Sequence, residues 1–201
     1  ACTLVTWNIR GMLAYAKRRK IKERLLEWEA DVACLQEIHG TAAQSYCWKQ
    51  QLGYNHAIYS QHATNSRGVA TLANMPSGAD LSGKTDDEGR IAALQIRAAE
   101  KNLIVVSAYA PNVAPSAEAI AEYARFIARL RVVLTWAQSL GDDFGTLLLG
   151  DLNICLGPND FAGAPPNHPE ASIGQLEDLM IDFDLVDLER SLVDPEGVIY
   201  T

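Results

Sequence analysis

The order of apolar and polar residues along the chain predicts alternating strands and helices. Short runs of apolar and β-branched residues that end in turn residues indicate strands. Six such runs occur, at residues 3–9, 32–35, 68–73, 90–96, 103–108 and 146–149. The last run, a threonine followed by three leucines, is short and strongly apolar, which is typical of a fully buried strand.

Three further segments space their apolar residues by three or four positions, which is typical of amphipathic helices. The first has its basic residues largely on the opposite side, the second spans residues 115–140 and ends at Gly141, and the third opens with a predicted capping box of Ser172 and Gln175. The three apolar stripes consist of Ile21, Leu25 and Trp28, of Ile120, Tyr123, Ile127, Leu130 and Leu134, and of Leu176, Leu179, Met180 and Phe183.

At least six strands mixed with helices predict an α/β protein in which two sheets pack together and helices flank them. A length of 201 residues fits one large domain over residues 1–201. No apolar run approaches the ~18 residues of a membrane span, and the amino terminus lacks the basic and apolar regions of a signal peptide. We therefore expect a soluble, intracellular protein.

Charge bears on the partner that this protein would bind. A net charge of -8 and a pI near 5 argue against nucleic acid, because phosphate binding favours basic surfaces. Acidic residues that hold a divalent cation reverse their local field, however, and residues 17–24 contain a concentrated basic stripe. This stripe is either the solvated side of a helix or a phosphate-contacting surface, and the sequence leaves both interpretations open.

The four cysteines, Cys2, Cys34, Cys47 and Cys155, are scattered along the chain. None belongs to a CxxC pair with histidines at zinc spacing. We expect free, buried thiols in a reducing compartment.

Polar side chains interrupt the pattern at or just beyond the ends of predicted strands. They are Asn8, Glu37, Tyr109, Asn112, Asp151 and Asn153. Ligands of α/β proteins bind where strand ends aim side chains into a common crevice, so we expect these groups to converge.

These residue types fit phosphodiester hydrolysis. Glu37 can bind Mg²⁺, which needs only one or two protein carboxylates because it keeps several waters. Asp151 can orient or deprotonate the attacking water, and the amides and the phenol can hold phosphate oxygens without adding negative charge. Simpler interpretations stay open: a turn for Asp151 and for residues 111–112, a helix-entry carboxylate for Glu37, and a core aromatic for Tyr109.

Five segments carry a resemblance to a known superfamily. They are WNIRG at 7–11, CLQEIH at 34–39, DDEGR at 86–90, YAPN at 109–112 and LGDLN at 149–153. In these motifs and their order the chain resembles the endonuclease/exonuclease/phosphatase superfamily. It is most similar to the apurinic-endonuclease-like branch, including the endonuclease domains of LINE-type (non-LTR) retrotransposons. The resemblance implies a DNase I-like fold, a four-layered α/β sandwich with two packed mixed β-sheets flanked by helices.

The resemblance also implies roles for the motif residues. It assigns the metal to Glu37, with Asn8 beside it as a further metal-site residue. It makes Tyr109 and Asn112 catalytic groups of the phosphate site.

Asp151 and Asn153 become, by the same resemblance, the pair that orients the nucleophile and the scissile phosphate. Arg90 is implied to be a structural or backbone-contacting residue. Asp160 lies where retrotransposon relatives carry a similar aspartate in a loop that approaches DNA. His39 either contacts the substrate or caps a turn, and we expect the other three histidines at the surface.

The resemblance further implies a closing strand with a Ser-Asp-His motif that completes the site. Residues 198–201 resemble the start of the segment before it, and residues 1–201 contain no such motif. If the chain ends there, we expect hydrolysis to be weaker by the roughly 10²–10⁴-fold that a general acid or base contributes.

The expected function is Mg²⁺-dependent nicking of DNA that leaves a 3′ hydroxyl, with Mn²⁺ able to substitute for Mg²⁺. The target is either a retrotransposon insertion site, favoured by the compact segment after Asn153, or an abasic site. The expected partners are double-stranded DNA, contacted through its backbone, and in a retrotransposon a covalently linked reverse transcriptase domain. No membrane is expected, and the location is the nucleus for a eukaryotic source. The alternatives are a phosphatase or phospholipase of the same superfamily and a non-catalytic binding module.

Overall fold

Two mixed four-stranded sheets dominate the computed structural model, which describes residues 2–63, 65–76, 79–98, 101–157, 160 and 166–192. In chain order the elements are β1 (Leu4–Asn8), α1 (Tyr15–Glu27), β2 (Val32–Gln36), α2 (Ala42–Ser45), α3 (Trp48–Leu52), β3 (His56–Ser60), β4 (Val69–Ala73), β5 (Asp80–Thr85), β6 (Ile91–Ala98), β7 (Lys101–Tyr109), α4 (Ala117–Gln138), β8 (Gly145–Asp151), α5 (Glu170–Asp182) and α6 (Leu188–Leu192).

The described residues form two compact units. The first combines the residues up to Tyr109 with Thr135–Leu152, and the second combines Ala110–Leu134 with the described residues from Asn153 onward. The single-domain organisation over residues 1–201 stays a prediction. The segment 198–201, and with it the predicted approach to a closing strand, lies outside the described residues.

The first unit holds both sheets. One sheet has the order β1-β2-β4-β3 and the other the order β5-β6-β7-β8. Strand β1 pairs parallel with β2, and β7 pairs parallel with β8, whereas the remaining neighbours are antiparallel. Each sheet therefore contains one parallel pair whose strands end on the same side.

Strand β2 shows why its sequence is a continuous apolar run. Val32 and Cys34 belong to a core that also contains Val105 of the other sheet. Ala33 and Leu35 belong to a second core, with residues of α1 and α3. Because successive side chains of a strand point to opposite faces, a strand buried on both faces needs apolar residues at every position.

The six predicted strands are all present, and two strands, β3 and β5, were not predicted. Strand β5 reads DLSGKT, whose polar residues and glycine are poor strand signals. It forms because all six of its residues pair with β6. Strand β8 also continues through Gly150 and Asp151, where the sequence predicts a stop.

Helix α1 confirms two of the three residues of its predicted apolar stripe. Ile21 and Leu25 of α1 are buried, but the helix ends at Glu27, and Trp28 is 41% exposed, so its predicted burial is wrong. Trp28 instead packs edge-to-face against Trp7. Arg18 is buried as well, because its guanidinium donates to the carbonyls of the preceding loop.

Helix α4 buries four of the five predicted apolar residues, and α5 buries Leu176 and Leu179. The predicted capping box at Ser172 is wrong. Helix α5 begins at Glu170, and Pro169 is its N-cap, so Ser172 lies inside the first turn and is buried. No helix among the described residues has the length and apolar content needed to cross a membrane.

The cysteines differ in environment. Cys34, Cys47 and Cys155 are free thiols, and of these three only Cys34 is buried. Burial raises the pKa of the Cys34 thiol and outweighs the opposite effect of its hydrogen bonds with Ser107 and Thr71, so that this pKa is about 12. Cys34 is therefore an inert core residue at neutral pH.

Candidate active site

Four polar side chains meet where the parallel strands of both sheets end. Asn8 is the last residue of β1, Glu37 follows β2, and Tyr109 and Asp151 end β7 and β8. The Asn8 Nδ2 donates to Glu37 Oε1 at 2.9 Å and to Asp151 Oδ2 at 2.9 Å. The Tyr109 hydroxyl donates to the same Oε1 at 3.0 Å. The structure thus joins two carboxylates from different sheets through one amide group.

The backbone around Glu37 is held by neighbouring loops. The amide of Ile9 donates to the carbonyl of Gln36 at 3.1 Å, and the amide of Gly11 donates to the carbonyl of Glu37 at 2.6 Å. Glu37 has a φ of 54°, in the left-handed region that non-glycine residues rarely adopt. Such strain persists only where the surrounding structure enforces it, and it recurs at functional sites.

The environment of Glu37 favours its ionised form. Burial would raise the pKa of its carboxyl, but hydrogen bonds from Asn8 and Tyr109 and the nearby His39 and Arg10 together hold this pKa below its usual value. Glu37 is therefore a carboxylate at neutral pH, as a metal ligand must be.

Tyr109 is a hydrogen-bond donor at any ordinary pH. Burial, followed by the hydrogen bond to Glu37 and the negative charges of Glu37 and Asp151, raises the pKa of Tyr109 to about 12. The phenol therefore stays protonated and can donate a hydrogen bond to a carboxylate or to a phosphate oxygen.

His39 and Arg90 also lie at this site. The His39 Nε2 is 3.3 Å from Glu37 Oε2, so the imidazole faces the carboxylate rather than solvent alone. Arg90 is only 7% exposed, and its Nη1 donates to the carbonyl of Tyr109 at 3.2 Å. His39 thus contacts Glu37, and Arg90 contacts Tyr109. The predicted contact of His39 and Arg90 with the substrate stays a prediction.

The donor atoms fit a hard divalent cation. Among the described residues there is no group of three or more His, Cys, Asp and Glu side chains placed to hold a metal ion. Mg²⁺ does not need such a group, since one or two carboxylates and several waters satisfy it. Glu37 and Asp151 supply two carboxylates, whereas Asn8 turns its nitrogen towards them and its Oδ1 accepts from the amide of Arg10 at 3.2 Å.

The other predicted site residues belong to the second unit. Asn112 is exposed. Asn153 has a φ of 52°, and its Nδ2 donates to the carbonyl of Ala110 at 2.8 Å. A left-handed asparagine two residues after Asp151 could be anticipated from residue type, because Asn tolerates this region.

Asp160 is bound within its own loop. Its carboxylate accepts from the amides of Leu156 at 2.7 Å and Gly157 at 3.1 Å, and it forms an ion pair with Arg190. Arg190 also binds Asp187 at 2.8 Å. No sequence motif singles out Arg190. The available signal was its position in α6, three residues after Asp187, which immediately precedes the helix. The neighbouring residues 159 and 161 lie outside the described residues.

The chain belongs to the endonuclease/exonuclease/phosphatase family, whose model matches residues 5–191. Among curated proteins it is similar to an exodeoxyribonuclease of Bacillus subtilis (strain 168), with 25% identity over 179 residues, covering 87% of this chain and 67% of that protein. Nucleases of this family generally use Mg²⁺.

Solved structures show the same fold. The AP endonuclease LMAP from Leishmania major matches with a TM-score of 0.74 and 18% identity, over 95% of this chain and 69% of that one. An AP endonuclease from Archaeoglobus fulgidus matches with a TM-score of 0.71 and 21% identity, over 100% and 77%. The Xenopus laevis APE2 catalytic domain matches with a TM-score of 0.61 and 25% identity, over 96% and 68%. The predicted DNase I-like fold with two mixed sheets is confirmed.

Proposed function

We propose that this protein is a metal-dependent phosphodiesterase that nicks double-stranded DNA. One observation carries the proposal: the Asn8 amide holds the carboxylates of Glu37 and Asp151 within two hydrogen bonds of each other at the ends of four strands. Family membership and the names of the relatives, an exodeoxyribonuclease and AP endonucleases, support a nucleic-acid phosphodiester as the substrate.

The reaction divides between the two carboxylates. Mg²⁺ or Mn²⁺, held by Glu37, would neutralise the phosphate oxygens and the leaving oxygen. Asp151 orients a water and accepts its proton as the water oxygen bonds to phosphorus. The bond between phosphorus and the 3′ oxygen breaks, and protonation of that oxygen gives a 3′ hydroxyl and a 5′ phosphate. Asn8 keeps the two carboxylates in place.

Uncharged donors bind the phosphate. Tyr109 keeps its proton and donates a hydrogen bond to a phosphate oxygen without adding negative charge. The motif resemblance implies that the amides of Asn112 and Asn153 are further donors of the phosphate site. Arg90, His39 and Asp160 are assigned to the substrate side with the roles that the motif resemblance implies.

Two DNA substrates are part of the proposal. The motif resemblance supports target-site nicking by a retrotransposon endonuclease, with a linked reverse transcriptase domain as partner. The AP endonucleases among the structural relatives support cleavage at abasic sites. Supercoiled plasmid and a duplex with one abasic site distinguish these two substrates directly.

The first prediction concerns the two carboxylates. In the natural protein that carries residues 1–201, Glu37→Gln and Asp151→Asn should each lower Mg²⁺-dependent plasmid nicking by about 100-fold or more. Gel analysis of nicked circles measures the rate, and chelation of the metal should abolish it.

Asp143→Asn is the matched control, because Asp143 is an exposed carboxylate of the same unit that accepts from Asn102. It should nick at the wild-type rate. Unchanged nicking by both site variants would refute the site. Phosphate release from inositol phosphates without nicking would support the phosphatase alternative, and DNA binding without hydrolysis would support the binding module.

A further inference from the structure

In the DDEGR motif, residues 86–90, Asp86 has no role in the reaction as proposed above, and Arg90 has only the structural or backbone-contacting role that the motif resemblance implies. Asp86 nevertheless accepts a hydrogen bond from the amide of Arg90, and Arg90 donates one to the carbonyl of Tyr109. We propose that Asp86 and Arg90 are positioning residues that hold the Tyr109 hydroxyl on Glu37. The effect on hydrolysis rests on the proposed function, whereas the positioning itself is independent of it.

Asp86 organises the turn that presents Arg90. Its Oδ1 accepts from the backbone amides of Arg90 and Ile91, each at 2.9 Å, and from the Ser60 hydroxyl at 2.5 Å. The amide of Asp86 donates to the carbonyl of Ile91 at 3.1 Å, which closes the turn. A carboxylate with three donors on one oxygen fixes a turn far better than a solvated loop residue does.

The turn leaves little room for a side chain at position 89. Gly89 has a φ of 71°, and an added Cβ would lie 3.0 Å from both the Cβ and the amide nitrogen of His62. Its carbonyl accepts from the amide of Gly68 at 2.9 Å, just before β4. Arg90 is therefore presented from a turn that is tied to the other sheet.

Arg90 contacts Tyr109 at three points. Its carbonyl accepts from the Tyr109 amide at 2.8 Å, its Nη1 donates to the Tyr109 carbonyl at 3.2 Å, and its Cζ lies 5.5 Å from the centroid of the Tyr109 ring. Arg90, which is only 7% exposed, thus holds both the backbone and the ring of Tyr109. Tyr109 ends β7, so without these contacts nothing in its strand pairing would fix the direction of its hydroxyl.

The chemistry of the guanidinium explains why arginine stands at this position. A planar fork can donate to a carbonyl and stack over a ring at the same time, whereas a lysine ammonium is a point charge. Burying a cation is costly unless its contacts compensate. We therefore expect Arg90→Lys to keep the charge and lose the positioning.

The test reads Tyr109 directly. The protein contains 7 tyrosines, so labelling with [ζ-¹³C]tyrosine gives few resonances, and the Tyr109→Phe spectrum assigns that of Tyr109. Arg90→Met and Arg90→Lys should each shift the Tyr109 resonance, and so should Asp86→Ala. Asp86→Asn retains an oxygen acceptor for the turn and should leave the resonance close to its wild-type position.

Arg97→Met is the matched control. Arg97 lies in β6, the strand that follows Arg90, and its Cζ is 5.0 Å from the centroid of the Phe144 ring, so the variant removes a similar cation–aromatic contact elsewhere. It should leave Tyr109 unmoved. A Tyr109 resonance that is unmoved in folded Arg90→Lys or Arg90→Met would overturn the proposal, even if these variants are less stable. Arg90→Lys serves if Arg90→Met does not fold.

The effect on the metal gives a second readout. Mg²⁺ affinity measured by calorimetry should fall about 10-fold in Arg90→Lys, as expected when a side chain that orients a metal-site group is lost. In a Tyr109→Phe background, Arg90→Lys should lower the Mg²⁺ affinity no further. An equal loss of affinity in both backgrounds would overturn the proposal that Arg90 acts through Tyr109. Failure of the proposed function shows separately, as absence of Mg²⁺-dependent hydrolysis by the wild-type protein.

Discussion

At the scale of the residue, Glu37 combines a strained backbone with a stabilised charge. Its left-handed conformation costs on the order of 1–3 kcal/mol, and the loops on either side enforce it. Two donors on Oε1 and His39 beside Oε2 favour the carboxylate. The backbone strain and the electrostatic stabilisation together present an ionised oxygen pair in one fixed direction.

The lowered pKa of Glu37 predicts a pH dependence of stability. Because the folded state holds this pKa below the unfolded value of roughly 4.3, the ionised carboxylate stabilises the fold above that value. The contribution is lost as the pH falls through the lower, folded-state pKa. Urea denaturation of metal-free protein should show a shallower loss of unfolding free energy below about pH 4.3 for Glu37→Gln than for the wild type.

Glu23→Gln provides the comparison, since Glu23 is a largely exposed helix residue that pairs with Arg19. It should leave the acid slope unchanged. Identical slopes for Glu37→Gln and the wild type would contradict the account of the Glu37 environment.

The convergence of Asn8, Glu37, Tyr109 and Asp151 could be predicted from the sequence because polar groups at strand ends interrupt apolar runs. The left-handed conformation of Glu37 could not, since glutamate does not favour positive φ. The burial of Arg90 was equally hidden, because arginine is mostly exposed and only a specific ring and carbonyl make its burial possible.

At the scale of the element, β8 depends on a glycine. Gly150 has a φ of 149°, and an added Cβ would lie 2.0 Å from the carbonyl oxygen of Ala108 in β7. The strand can therefore stay paired with β7 up to Asp151 only without a side chain at Gly150. The position of Asp151 follows from that close approach.

Two glycine substitutions should have opposite effects on stability. Gly150→Ala should lower the free energy of unfolding by more than about 2 kcal/mol, because backbone atoms must move to admit the methyl group. Gly174→Ala in α5 should raise it by about 0.5–1 kcal/mol, since nothing lies within 4 Å and alanine favours a helix. Thermal or urea denaturation measures both, and a neutral Gly150→Ala would show that the strand can shift.

Elements with strong periodicity could be predicted, whereas partner-dependent elements could not. The apolar stripes of α4 and α5 come from their own residues, and burial is confirmed for four of the five predicted residues of α4 and two of the four of α5. Strand β5 has no such pattern, and it is a strand only because β6 offers a paired edge. The contact of Trp28, just beyond the end of α1, with the ring of Trp7 is likewise not visible in the pattern of the helix itself.

At the scale of the whole molecule, charge is divided along the chain. Residues 1–109 contain 13 Lys and Arg against 10 Asp and Glu, whereas residues 110–201 contain 4 against 15. Lys17, Lys20 and Arg24 of α1 line a groove of about 530 Å³ together with Glu23 and Glu27 and the apolar side chains of Trp7, Ile9 and Ile21. The three cations outnumber the two carboxylates by one, so this groove has a small local excess of positive charge in an acidic protein.

The salt dependence of DNA binding distinguishes a phosphate-contacting stripe from a solvated helix side. Lys20→Gln should reduce the slope of log affinity against log salt by about 0.9, the amount expected for one lost phosphate contact. Lys84→Gln, a change of the same kind in β5, should leave the slope unchanged. Fluorescence anisotropy with a labelled duplex measures it, and equal slopes for both variants would assign the stripe to solvent.

The hydrogen bond between Asn8 and Asp151 links side chains that are carried by different sheets. A sliding of one sheet over the other by about 1 Å would leave every strand pairing intact, yet a displacement of that size can cost a reaction two orders of magnitude. The geometry of the site therefore depends on how the two sheets are aligned. Side chains such as Val105 and Cys34, which are buried between the two sheets, therefore help to fix the distance between Asn8 and Asp151.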